Sequence, residues 1–581
     1  MSRSRSLLFL LAAACGMPAP RPQPEPRVRS PIHLVLSRDG SRAYVANHTA
    51  SSISLVDLRS RRVIDEIPVG ERPAHLALSP DERALYVTCL WDRRVDVVDL
   101  AQRRVVRSFS TGLEPYGCVL SPDGSRLFVV NAISDTVSTI DASTGRTLRE
   151  TAVGRQPRYA APAGPRLLVA NGLSRDVSIL DDSGRVVETR DLGRASILRQ
   201  IACSPDGRWA FVAHLLSHDE QVTSQIERGW IHSNGFSVLD LSRPGHRVTL
   251  LLDRLLDGAA NPWGLVLSDR RMYVTLAGVH EVAIVDVPGV LRLVSETAPD
   301  GVKPLQEDVE ILARRGLARR VSAGGLGPRG LALSPAGEIV VSNHFSDTVT
   351  ILDAETGALR ATIPLGPPVE PTLHRRGEIL FNDARLCHQR WFSCASCHQE
   401  DATVDGLNWD LLNDGAGNAK NAKSLHDIHD TPPAMWTQVR EDMDAAVAAG
   451  QRFGGFLPDP ENHRALMAFL NDPPRAPNPY PRLARGERAF DKAGCGFCHP
   501  APTFTDRKLH DIGTANATDL HREFDTPSLR ECYRTAPYVH DGRAKTLRDV
   551  FTTHDKDGLH GGWTLLSPEE FEDLLRYLMS L

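Results

Sequence analysis

The chain has 581 residues with 67 basic and 72 acidic side chains and a net charge of −5, a balance that excludes nucleic acid as an electrostatically driven partner. Hydrophobic residues make up 41% of it, an ordinary soluble composition. Its length is more than one core can organise, so about two to four domains are expected.

The chain opens with Arg3 and Arg5, an apolar run from Leu7 to Leu11, and then Ala12-Ala13-Ala14-Cys15-Gly16. Basic, apolar and small-residue regions in that order read as an export signal over 1–16, with Cys15 as a lipid acceptor. Ala12 stands where a lipobox carries leucine, and Leu11 is one place early. A Pro-rich tether, 17–30, follows, and no later apolar run reaches membrane-spanning length. The expected location is the periplasm or cell envelope; lipidation of Cys15 would attach the protein to the membrane as an outer-membrane lipoprotein.

From 31 to 366 the sequence repeats. Strand words such as Tyr44-Val-Ala-Asn47, Tyr86-Val-Thr-Cys89, Phe128-Val-Val-Asn131 and Ile339-Val-Val-Ser-Asn343 recur in seven copies, about every forty residues. Turns such as Ser121-Pro-Asp-Gly124 precede them, and alternating strands ending in Asp57, Asp99, Asp141, Asp181, Asp240, Asp286 and Asp353 follow. Short β-branched runs between such turns are hairpin grammar, and about four strands per unit at this period predict a β-propeller. The repeats resemble the YVTN family of seven-bladed propellers. Two stretched intervals, His214 to Ser233 and Pro288 to Ser322, are expected as loops or a small helical lid.

Pro364, Pro367, Pro368 and Pro371 end the repeats, and two similar helical units follow, 373–472 and 480–581. Each leads with a short helix, Arg376-Gly-Glu-Ile-Leu-Phe381 or Arg485-Gly-Glu-Arg-Ala-Phe490, into Cys394-Ala-Ser-Cys397-His398 or Cys495-Gly-Phe-Cys498-His499. Two thiols three residues apart can add to the vinyl groups of one porphyrin while the next histidine reaches the iron. Zinc needs four ligands, and a redox dithiol does not need the histidine. The pentads therefore predict two covalently bound haem c groups, on Cys394 and Cys397 with His398, and on Cys495 and Cys498 with His499. The fold class is an all-β seven-bladed propeller followed by two mostly α-helical cytochrome c-like domains. Cys89, Cys118 and Cys203 fall in repeat strands as buried small residues; Cys387 and Cys532 are candidates to pair across the haem domains.

The run Thr526-Pro-Ser-Leu-Arg530 and Thr535-Ala-Pro-Tyr-Val-His-Asp-Gly-Arg-Ala-Lys-Thr-Leu547 resembles the C-terminal haem domain of the di-haem cytochrome c peroxidase and MauG family. That resemblance implies electron passage between two haems, and a calcium ion between the domains. It implies a sixth ligand for the second haem beyond the His-Asp-Gly-Arg stretch, which counting places at His554, with His560 and Met579 as rivals. In the first unit Thr431-Pro-Pro-Ala-Met435 is set against Thr526 to Arg530, and Met435, His426 and His429 are candidate sixth ligands. Trp436 falls at the family's inter-haem relay tryptophan, and an ordinary buried aromatic explains it equally well. Where the family carries Leu-Glu-Glu-Gln and a proton-moving glutamate, this chain has Asp444-Ala-Ala-Val447 and Leu457, which puts peroxidase activity in question; Asp459 and Glu461 are the nearby substitutes. Asp405 to Gly415 offers oxygen ligands for calcium, or a tight Asx-turn loop.

The function expected is electron transfer by an exported di-haem cytochrome on a peroxidase-like scaffold, with the propeller as docking or binding platform. A redox protein or small electron donor or acceptor is the partner; the alternative is a di-haem peroxidase or MauG-like oxidase. Replacing Cys394 and Cys397 by serine should halve the haem per chain measured as pyridine haemochrome, from two to one.

Overall fold

The computed structural model describes residues 27–219, 231–297, 301–399, 401–410, 419–457, 459–555 and 558–581. The export signal with Cys15, most of the tether, and part of the first stretched interval lie outside the described residues.

Seven antiparallel sheets, each built from consecutive strands, form the propeller: blades of four strands from Pro31–Leu36 through to Leu359–Pro364, and a five-stranded fifth blade. The repeated sequence words have local causes. In the Ser121-Pro-Asp-Gly124 turn the serine hydroxyl donates to Asp123 Oδ1 at 2.5 Å, and Gly124 takes a left-handed position at φ 71°. The asparagine ending the second strand ties the hairpin to the third: Asn47 Nδ2 donates to Ser52 and Ser54 Oγ at 3.1 and 2.8 Å, and Asn131 does the same to Thr136 and Ser138. The aspartate ending the third strand accepts amides two or three residues on, as Asp141 from Thr144 N at 2.8 Å. Asp286 instead leads into the helix Val287–Glu296. With Val302–Glu307 and Ile311–Arg314 it forms the expected helical lid, whose Val290, Val294 and Leu312 complete the core of blades five and six.

The ring closes without exchanging a strand between its first and last blades. Leu34, Val45 and Val56 pack on Val340, Ile351 and Ile363 across the seam. The Asp347 carboxylate accepts from the Ser30 and Arg29 amides at 2.7 and 3.1 Å, and Glu66 pairs with the buried Arg29 side chain at 3.0 Å.

The two haem units share one plan. In each, the opening helix (Leu373–Asn382; Ala484–Lys492) crosses the closing helix (Pro460–Leu470; Pro568–Met579) at a glycine. A Cβ on Gly377 would lie 1.9 Å from Ala465 O, and one on Gly486 2.4 Å from Asp573 O, which accounts for the Arg-Gly-Glu words. One turn on, Phe381 meets Phe469 at 5.2 Å and Phe490 meets Tyr577 at 5.3 Å.

Both units sit on the propeller face made by the connections between blades and the hairpins joining second and third strands. Asn234 Nδ2 donates to Trp391 O at 2.9 Å, Asn261 Nδ2 to Ser393 Oγ at 2.9 Å, and Arg155 Nη2 to Ala536 O at 2.9 Å. Gly258 admits the chain at Arg390 and Trp391, where a Cβ would lie 2.5 Å from backbone. The buried Arg534 joins three domains, pairing with Glu114 of the propeller at 3.3 Å and Asp401 of the first unit at 2.8 Å. Cys387 and Cys532 are both free, which corrects the expected pairing: Cys387 packs with Trp391 and Phe392 beneath the first unit. Arg534→Met should leave two acidic groups unpaired in the junction and cost about 3 kcal/mol, read as a lower urea midpoint of the holoprotein.

Candidate functional site

Each pentad occupies one helical turn, with His398 N donating to Cys394 O at 3.1 Å and His499 N to Cys495 O at 2.9 Å. That turn brings both thiols and the imidazole to one side, as a covalently held porphyrin requires. Phe504 O lies 2.9 Å from His499 Nδ1, which fixes the proton there and leaves Nε2 for a metal. Burial draws His499 down to about 4, and His398 likewise to about 4, so both are the neutral imidazoles that iron takes. Burial pushes the Cys394 and Cys495 thiols up, to about 12 and 11.

A large cavity opens from Cys495, Cys498 and His499 toward Met435 and Trp436, walled by Phe490, Leu529, Tyr538, Val550, Phe551 and Leu578. An apolar chamber with two thiols and an aimed imidazole fits haem. His560 stands across it from His499 with ring centroids 6.5 Å apart, stacked on Phe551 at 5.5 Å. His554 does not line this cavity; it ends the turn after Leu547–Thr552, its amide on Asp549 O at 3.0 Å. The reason is Asp555, whose carboxylate accepts from Leu559 N, His560 N and Trp563 Nε1 at 2.8, 3.1 and 2.7 Å. That clasp reverses the chain and brings the later histidine, His560, to the cavity wall, while the count beyond His-Asp-Gly-Arg falls on His554. Met579 is not among the lining residues either.

The first unit needs a different internal match. Ala434 bridges Arg440 as Tyr538 bridges Ala544, and Met435 and Val539 share left-handed φ of 77° and 62°. Thr431 Oγ1 reaches Asp427 O at 3.1 Å as Thr535 Oγ1 reaches Glu531 O at 3.2 Å. Thr431 thus corresponds to Thr535 rather than Thr526, Met435 to Val539 and Trp436 to His540. Met435 lines the cavity that holds His499 and His560, and His398 does not line that cavity. His426 has both nitrogens engaged, Nδ1 with Glu531 at 2.7 Å and Nε2 with Asp401 O at 2.7 Å, and His429 lies at the surface beside Asp430.

The units exchange contacts reciprocally. Asn421 N donates to His540 O at 2.7 Å and Asp525 N to Trp436 O at 2.8 Å. His426 of the first unit pairs with Glu531 of the second, while Arg530 of the second pairs with Asp427 of the first at 3.2 Å. Trp436 lies in this junction, its Nε1 on Asn421 O at 2.8 Å and the Lys423 ammonium 4.7 Å from its ring centre.

Of the suggested proton-moving substitutes, Asp459 caps the helix Pro460–Leu470 and Glu461 pairs with Arg376; Asp444 and Leu457, which stand at the family's positions, meet His463 and solvent. Asp405, first of the suggested calcium ligands, accepts from Leu407 N at 2.9 Å and Trp409 Nε1 at 2.8 Å. Burial raises its pKa to about 8. Residues 411–415 of that segment lie outside the described residues.

The propeller also reaches the first pentad. His232 Nε2 lies 3.3 Å from Cys397 Sγ, and its ring meets Trp409 edge-on at 4.9 Å. No sequence signal marks His232, because it stands on a repeat strand about 160 residues before the thiols it approaches.

A family model described as YNCE-like beta-propeller matches residues 33–124, and one described as di-haem cytochrome c peroxidase matches 373–465. Hydrazine synthase subunit gamma of Kuenenia stuttgartiensis is 30% identical over 279 residues, covering 37% of this chain and 79% of that protein. Subunit beta of the same enzyme is 32% identical over 173 residues, 29% of this chain and 44% of its own length, so the chain spans less than half of that relative. The methylamine utilization protein MauG of Methylophilus methylotrophus is 24% identical over 283 residues, 38% of this chain and 84% of that one. A solved structure of Kuenenia stuttgartiensis hydrazine synthase superposes with a TM-score of 0.55 at 27% identity, covering 58% of this chain and 99% of that chain.

His560→Ala should abolish a low-spin bis-histidine signal in low-temperature EPR of the holoprotein, and His554→Ala should leave it intact; the reverse pattern would return the ligand to His554.

Proposed function

Because the chain belongs to the di-haem cytochrome c peroxidase and MauG family, carried behind a YNCE-like seven-bladed propeller, we propose that it is an exported di-haem cytochrome c. In this reading it moves electrons through its second haem to a first haem enclosed under the propeller. The carrying observation is the pair His499 and His560, 6.5 Å apart across one apolar cavity. That separation would let both imidazoles hold one haem iron between them. Bound there, haem c supplies one-electron chemistry, and two histidine ligands leave no position for substrate.

The chain's own residues account for the rest. Cys394, Cys397, Cys495 and Cys498 anchor the two porphyrins, and His398 and His499 hold the iron from one side. Trp436, hydrogen-bonded at the junction of the units, is the aromatic through which the two centres communicate. Periplasmic location follows from the signal-like leader and from haem attachment outside the cytoplasm. A redox protein or small donor serves the second haem.

A second reading rests on one observation. This single chain resembles both the gamma and the beta subunits of hydrazine synthase, so it could serve as one fused redox subunit of a larger enzyme, with chemistry at the first haem. The propeller would then be a wall of the reaction site rather than a docking platform. Peroxidase chemistry has less support, since Asp459 caps a helix, Glu461 pairs with Arg376, Asp444 pairs with His463 and the exposed Leu457 carries no proton-moving group.

Stopped-flow mixing of the holoprotein with hydrogen peroxide separates these readings. An unchanged Soret band over seconds, with reversible one-electron reduction of both haems in a redox titration, is expected for the carrier. A rapid Soret shift confined to one haem would replace it with the enzyme reading.

A further inference from the structure

Blade five departs from the others in strand length as well as in strand number. Its second and third strands, Trp209–Ser217 and His232–Asp240, each run nine residues, where blade one uses six. Ser217 pairs with His232 in the last rung of that extension, which lifts the histidine out of the ring and into the first haem unit. There it is fully buried, with Ile231, Leu407 and Trp409 forming an apolar cluster against Cys397.

The hydrogen bonds give the ring a direction. Ser217 N donates to Arg194 O at 2.9 Å, and Ser217 Oγ lies 3.1 Å from His232 Nδ1 and contacts Ser196 Oγ. A serine hydroxyl donating to Nδ1 leaves the proton on Nε2, the atom 3.3 Å from Cys397 Sγ. Trp409 fixes the ring plane from its edge at 4.9 Å, and Trp409 is itself tethered to Asp405 at 2.8 Å. Burial draws His232 down to about 3, so the ring is uncharged.

We infer that His232 is a positioning residue supplied by the propeller to the first haem, whose Nε2–H donates to the Cys397 sulfur and raises that haem's reduction potential. The inference rests on the proposed reading that haem c is attached at Cys394 and Cys397. Thiol addition to a vinyl group would leave a saturated carbon between sulfur and macrocycle, so a donor on that sulfur would withdraw density from the ring inductively and favour the reduced iron. Second-shell hydrogen bonds and burial are recognised controls of haem potentials. The propeller thereby adjusts a redox centre that its own sequence does not carry.

The test uses full-length holoprotein, with haem counted as pyridine haemochrome and both potentials read by spectroelectrochemistry. His232→Phe keeps an aromatic against Trp409 and removes the donor, and should move the first potential downward while the second stays. His232→Gln restores an N–H and should recover much of the shift, which a purely structural loss would not. Ser217→Ala leaves His232 in place but frees its ring; a smaller shift in the same direction is expected, and this variant serves if His232→Phe fails to fold. Two haems per chain with an unmoved first potential in both variants would overturn this inference alone. Wild-type protein lacking haem on the first pentad would overturn the reading beneath it.

Discussion

The arrangement of the molecule depends on a buried ionic junction where three domains meet. Arg534 of the second haem unit sits between Glu114 of the propeller and Asp401 of the first unit. Beside it Glu531 reaches His426, and Arg475 bridges Asp427 and Glu531 at 2.9 and 3.5 Å. Burial raises the Glu114 carboxyl, with Arg534 opposing it; in Glu531 the charged partners win and the carboxyl falls. Removing such charges from water is costly and is repaid only in one geometry. The junction therefore favours a single docking of haem units on propeller, and the distances around both haem centres follow from that docking.

The haem half is a duplication whose copies have diverged at their points of contact. Gly377 and Gly486, Phe381 and Phe490, Thr431 and Thr535 keep the same roles. At the reciprocal contacts the residues differ: Trp436 against His540, and the pair His426–Glu531 against Arg530–Asp427. A shared backbone plan holding unlike side chains gives the two pentads different surroundings.

Much of this was legible in the chain. The seven repeats, their turn chemistry and the two pentads rest on local hydrogen bonds and on a helical turn, and short-range causes leave short-range signals. The rest depends on contacts that spacing does not encode. His560 was one of three candidates, and only the clasp of Asp555 on the following amides decides its direction. The internal alignment of the first unit slipped because the second offers two threonine–proline stretches, Thr526-Pro527 and Thr535-Ala-Pro537; left-handed residues and matching bridges separate the two. The cysteine pair failed for a similar reason, since it assumed a proximity that packing did not provide. His232 carried no signal, as its importance comes from a strand three residues longer than its neighbours'.

The seam between the first and last blades has a topological meaning. Every blade is contiguous in the chain, so no sheet contains strands from both ends, and closure relies on apolar packing and on Asp347 gripping two amides. A circular permutant begun at any connection between blades would keep all seven sheets intact and simply relocate this clasp. The ring is in that sense indifferent to where its gene starts, and the haem units mark the seam only because they leave the chain there.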